Sequence, residues 1–399
     1  MNKLDVFYRD QLVGTLASAR GGILFEYAAS FLSSGHELSP LALPLGPGVR
    51  SRDGSPTMRL PGLFEDSLPD SWGTRVMDDF FRQRGVPAHT VDPLMRLSFI
   101  GRRGFGALSY APASGIEADR GTLDTIYTAA AHLEEGARTD LALLADVGTS
   151  PGGARPKAAL WFDHALHSLS HDCDRDHPNA WLVKFDTSAE RNLGRLEYAY
   201  SLLVAAAGIE MPETRLLETA RAGGTRAHFA VRRFDRVGAE RVHYHSLAGL
   251  CQMLGSDLDY QILLRVTRRI TRDHAEVLKA YRRAVFNVLA SNRDDHGKNH
   301  GFLYDGRDWR LSPAFDVTFV GTGQLRERGM AVMGERCRVG IHQLETLAEA
   351  EGIDRRARRV ILDDVRAAIA RWPEFAALAE LSPRDAREVE EALVALGSE

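Results

Sequence analysis

The chain has 399 residues, a formal net charge of −4, and apolar and charged fractions of 44% and 26%. This is the make-up of a globular protein with room for two or three subdomains, and its weak acidity excludes a global electrostatic affinity for nucleic acid. No apolar run approaches a membrane span, Met1 to Asp10 lacks the apolar centre of a secretory signal, and Cys173, Cys251 and Cys337 are scattered. A cytoplasmic chain with reduced thiols and no membrane partner is expected.

Leu4 to Tyr8 and Leu12 to Leu16 read as strands about an Arg9-Asp10-Gln11 turn, followed by strands at Ile23 to Tyr27 and Leu41 to Leu45. Asp70 or Ser71 can cap a helix with Val76, Met77, Phe80 and Phe81 on its apolar side, stopped by Gly85 and Pro87. Gly101 to Gly106 returns the chain to strand, and Leu123 to Leu133 reads as a helix. Glycine and proline accumulate from about Gly148, which marks a boundary and the entry to a nucleotide-binding region.

Ala158 to Phe162 and Trp181 to Phe185 have the pattern of a hairpin with a long polar loop. A helix through Leu196, Tyr200 and Leu203 ends at Gly208, and Thr214 to Glu218 and His228 to Phe234 are further strands. After Ser246 the pattern is predominantly helical, through Leu250, Ile262 to Ile270, His274 to Ser291, Leu344 to Glu351, Val360 to Arg371 and Pro383 to Leu396. Strands followed by helices argue an α+β fold, with a mixed α/β amino-terminal half and a mostly helical carboxy-terminal half. Arg355, Arg356, Arg358 and Arg359 read as a solvated helix face, and Trp372 and Phe375 as core.

The most informative stretch is Asn292-Arg293-Asp294-Asp295-His296-Gly297-Lys298-Asn299, followed later by Asp316. Val277, Leu278, Tyr281, Ala284, Val285, Val288 and Leu289 place it at the end of a buried amphipathic helix. A carboxylate that accepts a hydroxyl proton, a lysine beside the transferring phosphate, and an Asn and an Asp as oxygen ligands to Mg²⁺ are the parts of phosphoryl transfer. Asp294 or Asp295 is the base on composition alone, Lys298 neutralises γ-phosphate charge, Asn299 and Asp316 hold the metal, and His296 orders the loop.

Ser150-Pro151-Gly152-Gly153-Ala154-Arg155-Pro156-Lys157 is a small-residue loop that lets backbone N–H groups approach phosphates, although it lacks the Lys-Ser/Thr ending of a Walker A loop. On its own it also reads as a surface turn. Lys184, inside the apolar run Trp181 to Phe185, needs an anionic partner, which a nucleotide phosphate or Glu197 on the next helix supplies, unless it snorkels from an edge strand. His164, His167, His171, Cys173 and His177 lack metal-ligand spacing and read as a polar hairpin tip.

These residues resemble the HipA-type serine/threonine kinase toxins of bacterial toxin–antitoxin systems. The resemblance rests on Val6 to Leu16, Phe64 to Asp70, Gly152 to Lys157, Lys184, Arg233 to Arg236, Asp294 to Asn299 and Ser312 to Asp316. It implies a protein-kinase-like two-lobed fold divided into an amino-terminal subdomain (1–112), a nucleotide-binding part (113–245) and a helical catalytic lobe (246–399). It implies Asp294 as the base and Asp316 as the metal-binding Asp. ATP would meet Gly152, Gly153, Ala154, Arg155, Pro156, Lys157, Lys184, the Arg232, Arg233 and Phe234 backbone beside the adenine, and His296, Gly297, Lys298, Asn299, Phe315 and Asp316. Ser150 matches a self-phosphorylation position, although Pro151 and Arg155-Pro156 differ from some members. The resemblance further implies ATP and Mg²⁺ as cofactors and a protein target such as an aminoacyl-tRNA synthetase, whose phosphorylation arrests growth. The implied partner is a HipB-like helix-turn-helix antitoxin, through which the chain reaches operator DNA. The competing readings are a weakly catalytic corepressor or scaffold, and a kinase of a small molecule or lipid.

Overall fold

The computed structural model describes residues 2–397 except 20–21, 52–57, 116–120, 148–152, 154, 163–168, 171–178, 189–190, 222–223, 239, 254–256 and 322. It opens with a sheet of five strands, β1 (Lys3–Tyr8), β2 (Gln11–Ala19), β3 (Gly22–Tyr27), β4 (Val49–Ser51) and β5 (Leu108–Ala111), in the order β4-β3-β2-β1-β5. The first turn is tighter than the sequence suggests. Tyr8 pairs with Gln11, and Arg9 and Asp10 both take positive φ, 47° and 65°, the backbone that a two-residue hairpin requires.

Leu41 to Leu45 is not the expected strand. Pro40 and Pro44 remove two ladder donors, and the Leu43 amide instead closes a turn onto Ser39, so Val49–Ser51 takes the edge. Four helices, α1 (Ala29–Leu32), α2 (Gly62–Glu65), α3 (Ser71–Gln83) and α4 (Pro93–Ile100), belong to this part of the chain. Asp70 N-caps α3 by accepting from the Gly73 amide, and Trp72, Val76, Met77, Phe80 and Phe81 bury its apolar face.

Two helices, α5 (Leu123–Glu134) and α6 (Leu141–Val147), lead to a second five-stranded sheet. Its strands are β6 (Lys157–Phe162), β7 (Leu169–Ser170), β8 (Ala180–Lys184), β9 (Thr214–Arg221) and β10 (Gly224–Arg232), ordered β7-β6-β8-β10-β9, with α7 (Leu193–Ala206) packed on β9 and β10. Lys157 and Lys184 face each other in the β6–β8 register. A two-stranded ribbon, β11 (Arg236–Val237) and β12 (Glu240–Arg241), follows.

The second half is helical as expected: α8 (Leu247–Cys251), α9 (Tyr260–Thr271), α10 (His274–Leu289), α11 (Ile341–Ala350), α12 (Arg355–Ile369), α13 (Trp372–Leu378) and α14 (Pro383–Gly397). Trp372 and Phe375 are core residues. The helical reading misses a small sheet, β13 (His243–Ser246), β14 (Gly301–Tyr304) and β15 (Trp309–Leu311), into which the far end of the polar loop leads. Strand β15 stops at Leu311, because Pro313 donates no amide and Ala314 N turns away to Glu210 O. No helix among the described residues is long and apolar enough to cross a membrane.

The amino-terminal part is stitched to the helical part through buried polar groups. Asp66 accepts from His245 Nδ1, Ser246 N and Ser246 Oγ, each at 2.6 Å, and Ser39 Oγ lies 2.9 Å from His245 Nε2. The Ser39-His245-Asp66 chain has the order of a hydrolase triad, but Ser39 and His245 are both fully buried, so it works as a bridge. Beside it, α2 meets α8 so closely that a Cβ on Gly62 would lie 2.0 Å from the Gly249 carbonyl oxygen. Gly62→Ala is expected to cost about 1–3 kcal/mol by forcing the two helices apart, read as a lower denaturant midpoint.

His228, on β10, accepts from the Asp186 amide at 3.0 Å through Nδ1 and pairs Nε2 with Thr219 Oγ1 at 2.8 Å. Protonation would set an Nδ1–H against that amide, and burial, followed by Arg226, pushes its pKa down to about 4. Because the folded value lies below the unfolded one, this contribution is full above about pH 6.5 and is lost as pH falls toward 4. Stability measured across that window should decline, and His228→Gln should flatten the decline.

Candidate active site

The polar loop leaves the end of α10 and is fixed from beneath. Arg328 donates through Nη2 to Asn287 O and Asn292 O, both at 2.6 Å, and to Asp295 Oδ2 at 3.0 Å. Tyr260 Oη also donates to Asp295 Oδ2 at 2.7 Å, and Met330 N reaches Oδ1 at 3.3 Å. Asp295 is therefore a buried structural carboxylate. Asp294 is half exposed with His296 Nε2 3.8 Å from Oδ1, and burial, ahead of the opposing pull of His296, raises its pKa. Geometry thus distinguishes the two neighbours that composition leaves equivalent.

Asn299 closes the loop: its amide donates to His296 O at 2.8 Å and its Nδ2 to Asp294 O at 2.9 Å. Its Oδ1 is buried and has no hydrogen-bond partner among the described residues. An orphaned buried acceptor is costly unless a ligand completes it. Gly297 O accepts from Ala248 N at 3.2 Å and Lys298 O from Tyr244 Oη at 3.3 Å, so the exposed Lys298 side chain rises from a fixed backbone.

Across from the loop, Lys184 on β8 is 8% exposed, which excludes snorkelling, and its Nζ donates to Glu197 on α7 and to Asp316. For Lys184, burial opposes the charge, but Asp316 and Glu197 outweigh it and raise the pKa. For Asp316, burial is likewise the largest influence, but Lys184 and then Lys157 hold the carboxyl well below the usual range. Asp316 adopts φ 54°, a left-handed conformation that Asp tolerates better than most residues, and it ends the segment from β15 at this ion pair.

Of the small-residue loop, Ser150, Gly152 and Ala154 lie outside the described residues, as do His164, His167, His171, Cys173 and His177. Gly153 sits over the charges, where a Cβ would come within 2.9 Å of Lys157 Nζ and 3.5 Å of Asp316 Oδ2. Lys157, 1% exposed, pairs with Asp70 Oδ2 at 2.5 Å. The sequence offers Asp70 as a helix cap and as the end of the Phe64 to Asp70 segment, but not as the partner of Lys157. Its place at the first turn of α3 was the available signal.

A cleft opens beside these groups. Leu182, Val231, Phe234, Phe105 and Phe315 give it apolar walls, with Asp70 and Lys298 among its polar lining. Arg232, Arg233 and Phe234 line it too, but the Arg233 guanidinium points into structure, donating to Asp235 at 3.0 and 2.8 Å and to Gly104 O at 3.2 Å. The amides of Arg232 and Arg233 are committed to Glu213 O and Ala180 O. Gly297 and His296 remain on the loop rather than in the cleft wall, and Arg155 and Pro156 lead into β6. Among the described residues no cluster of three His, Cys, Asp or Glu side chains could hold a metal.

The model of the HipA N-terminal domain matches residues 4–111, and that of the HipA-like C-terminal domain matches residues 149–372. Among curated proteins, the Sinorhizobium fredii protein named "Putative kinase Y4dM" is 30% identical over 154 residues, 35% of this chain and 37% of that protein. A second from the same organism, "Putative kinase Y4mE", is 28% identical over 134 residues, 29% of this chain and 30% of its own. The chain thus spans about a third of the length of the curated relatives it matches. A chain of the solved Shewanella oneidensis MR-1 complex of the toxin–antitoxin system HipA, HipB and its operator DNA has a TM-score of 0.70 at 16% identity, covering 98% of this chain and 96% of that one. The likeness bears on fold, and the kinase-like α+β fold expected from the sequence stands.

Removing Arg328 leaves Asp295 buried without its countercharge, at a cost of about 3–5 kcal/mol. Arg328→Met should therefore unfold at markedly lower denaturant, and adding Asp295→Asn should recover part of the loss.

Proposed function

The chain belongs to the HipA family, and from that membership and the cleft geometry we propose that it is a toxin kinase that transfers the ATP γ-phosphate to Ser or Thr of a protein. The observation that carries the reading is the convergence of Lys184, Glu197 and Asp316 from three elements, within electrostatic reach of the half-exposed Asp294. A strand lysine paired with a helix glutamate, next to a metal-binding Asp and a loop Asp, is the kinase arrangement. The apolar cleft walls suit an adenine, whose hydrogen bonds to the Arg232–Phe234 segment would fall to groups other than the two committed amides.

The residues present fit Mg²⁺. Asn299 Oδ1 is a buried oxygen in need of a partner and Asp316 is held ionised, and Mg²⁺ takes one or two such ligands while phosphates and water complete its shell. Asn299 and Asp316 would hold the ion, whose positive charge would offset the negative charge that develops in transfer. Lys184, fixed by its two carboxylates, would orient the phosphates, and Lys298 would meet the transferring group from the solvent side. Asp294 would accept the proton of the attacking hydroxyl, its basicity favoured by burial. Asp295, held by Arg328 and Tyr260, would keep the loop in place.

The target proposed is a protein of translation such as an aminoacyl-tRNA synthetase, with growth arrest as the consequence. The Shewanella complex supports a HipB-like antitoxin as partner and a route to operator DNA through it. Self-phosphorylation at Ser150 belongs to the same proposal.

Labelled γ-phosphate transfer from Mg-ATP to proteins of a cell extract tests it. Asp294→Asn should lower transfer by about 10²–10⁴-fold and leave ATP binding and unfolding close to the parent, whereas undiminished transfer would refute the role. Ser150→Ala should remove label from the chain itself; persistence of the same labelled peptide would exclude Ser150.

A further inference from the structure

Lys157 is gripped by an element far from it in the chain. Its ammonium donates to Asp70 Oδ2 at 2.5 Å and to Gly153 O at 2.7 Å. On the same helical turn as the Asp70 cap, Trp72 Nε1 donates to the Lys157 carbonyl at 3.2 Å. The first turn of α3 therefore holds both the side chain and the main chain of the residue that ends the small-residue loop.

An ammonium buried this deeply needs a countercharge. Gly153 O is neutral and Asp316 Oδ1 is taken by Lys184, itself a like charge on the neighbouring strand. Asp70 supplies the match at bonding distance. Among the described residues two of the three ammonium hydrogens are engaged, and Asp70 lines the cleft in which the phosphates would lie.

Resting on the kinase reading above, we propose that Asp70 is a positioning residue for ATP. It opposes the burial of the Lys157 charge and aims the side chain so that an ammonium hydrogen meets a nucleotide phosphate. The phosphate grip thereby depends on the amino-terminal part of the chain, which contributes no group to the transfer step itself.

The test uses the full chain, Mg-ATP, calorimetry for ATP affinity and γ-phosphate transfer for KM and kcat. Asp70→Asn keeps an N-cap as good as Asp while removing the charge. It should raise the Kd and KM for ATP by about tenfold and leave kcat within about twofold, a split that a general loss of structure would not give. The Asp70→Asn, Lys157→Met pair removes both charges and should bind ATP no worse than Lys157→Met alone, since the two act through one contact. Unchanged ATP affinity in folded Asp70→Asn, a fall in kcat with KM unaltered, or additive losses in the double variant would each overturn the inference. Absence of ATP binding by the parent chain would instead overturn the kinase reading, and this inference with it.

Discussion

The site depends on one constraint: two lysines sit opposite each other on adjacent strands, in a place where both are almost wholly buried. Lys157 on β6 and Lys184 on β8 are 1% and 8% exposed. Unpaired, each would be driven to lose its proton. Carboxylates from three other elements answer them: Asp70 at the start of α3, Glu197 on α7 and Asp316 beyond β15. Folding the strands into one sheet thus requires the amino-terminal part, the central helix and the carboxy-terminal part to converge at the same spot.

That convergence explains the effort given to stitching the parts together. Asp66 ties α8 and β13 to the amino-terminal part, and the Arg233, Arg236 and Arg241 guanidinium groups converge on Gly104 O around Asp235. Such buried ionic knots add little net stability, because desolvation offsets much of their attraction. Their value here is placement. A shift of the amino-terminal sheet by an ångström would separate Asp70 from Lys157, and a shift of the Asp295–Arg328 pair would displace Asp294.

Much of this was legible in the sequence because local rules govern it. The helix before the loop, the β6–β8 hairpin and the Asp70 cap follow from periodicity and capping, and Lys184 announces a partner by standing in an apolar strand. What was hidden depends on contacts between distant segments. The β13-β14-β15 sheet is made of strands of four residues or fewer lying among helices, so periodicity has little to act on. Leu41 to Leu45 alternates like a strand, but Pro40 before it and Pro44 within it decide otherwise. Asp294 and Asp295 are chemically identical until Arg328 and Tyr260, far along the chain, claim one of them.

The most direct test of the central claim is a crystal structure of the chain with a non-hydrolysable ATP analogue and Mn²⁺, located by its anomalous scattering. The account predicts the base against Phe234 in the apolar cleft, phosphates within reach of Lys157 and Lys184, and the ion on Asn299 Oδ1 and Asp316. A nucleotide bound elsewhere, or an ion that leaves the Asn299 oxygen unpartnered, would contradict it.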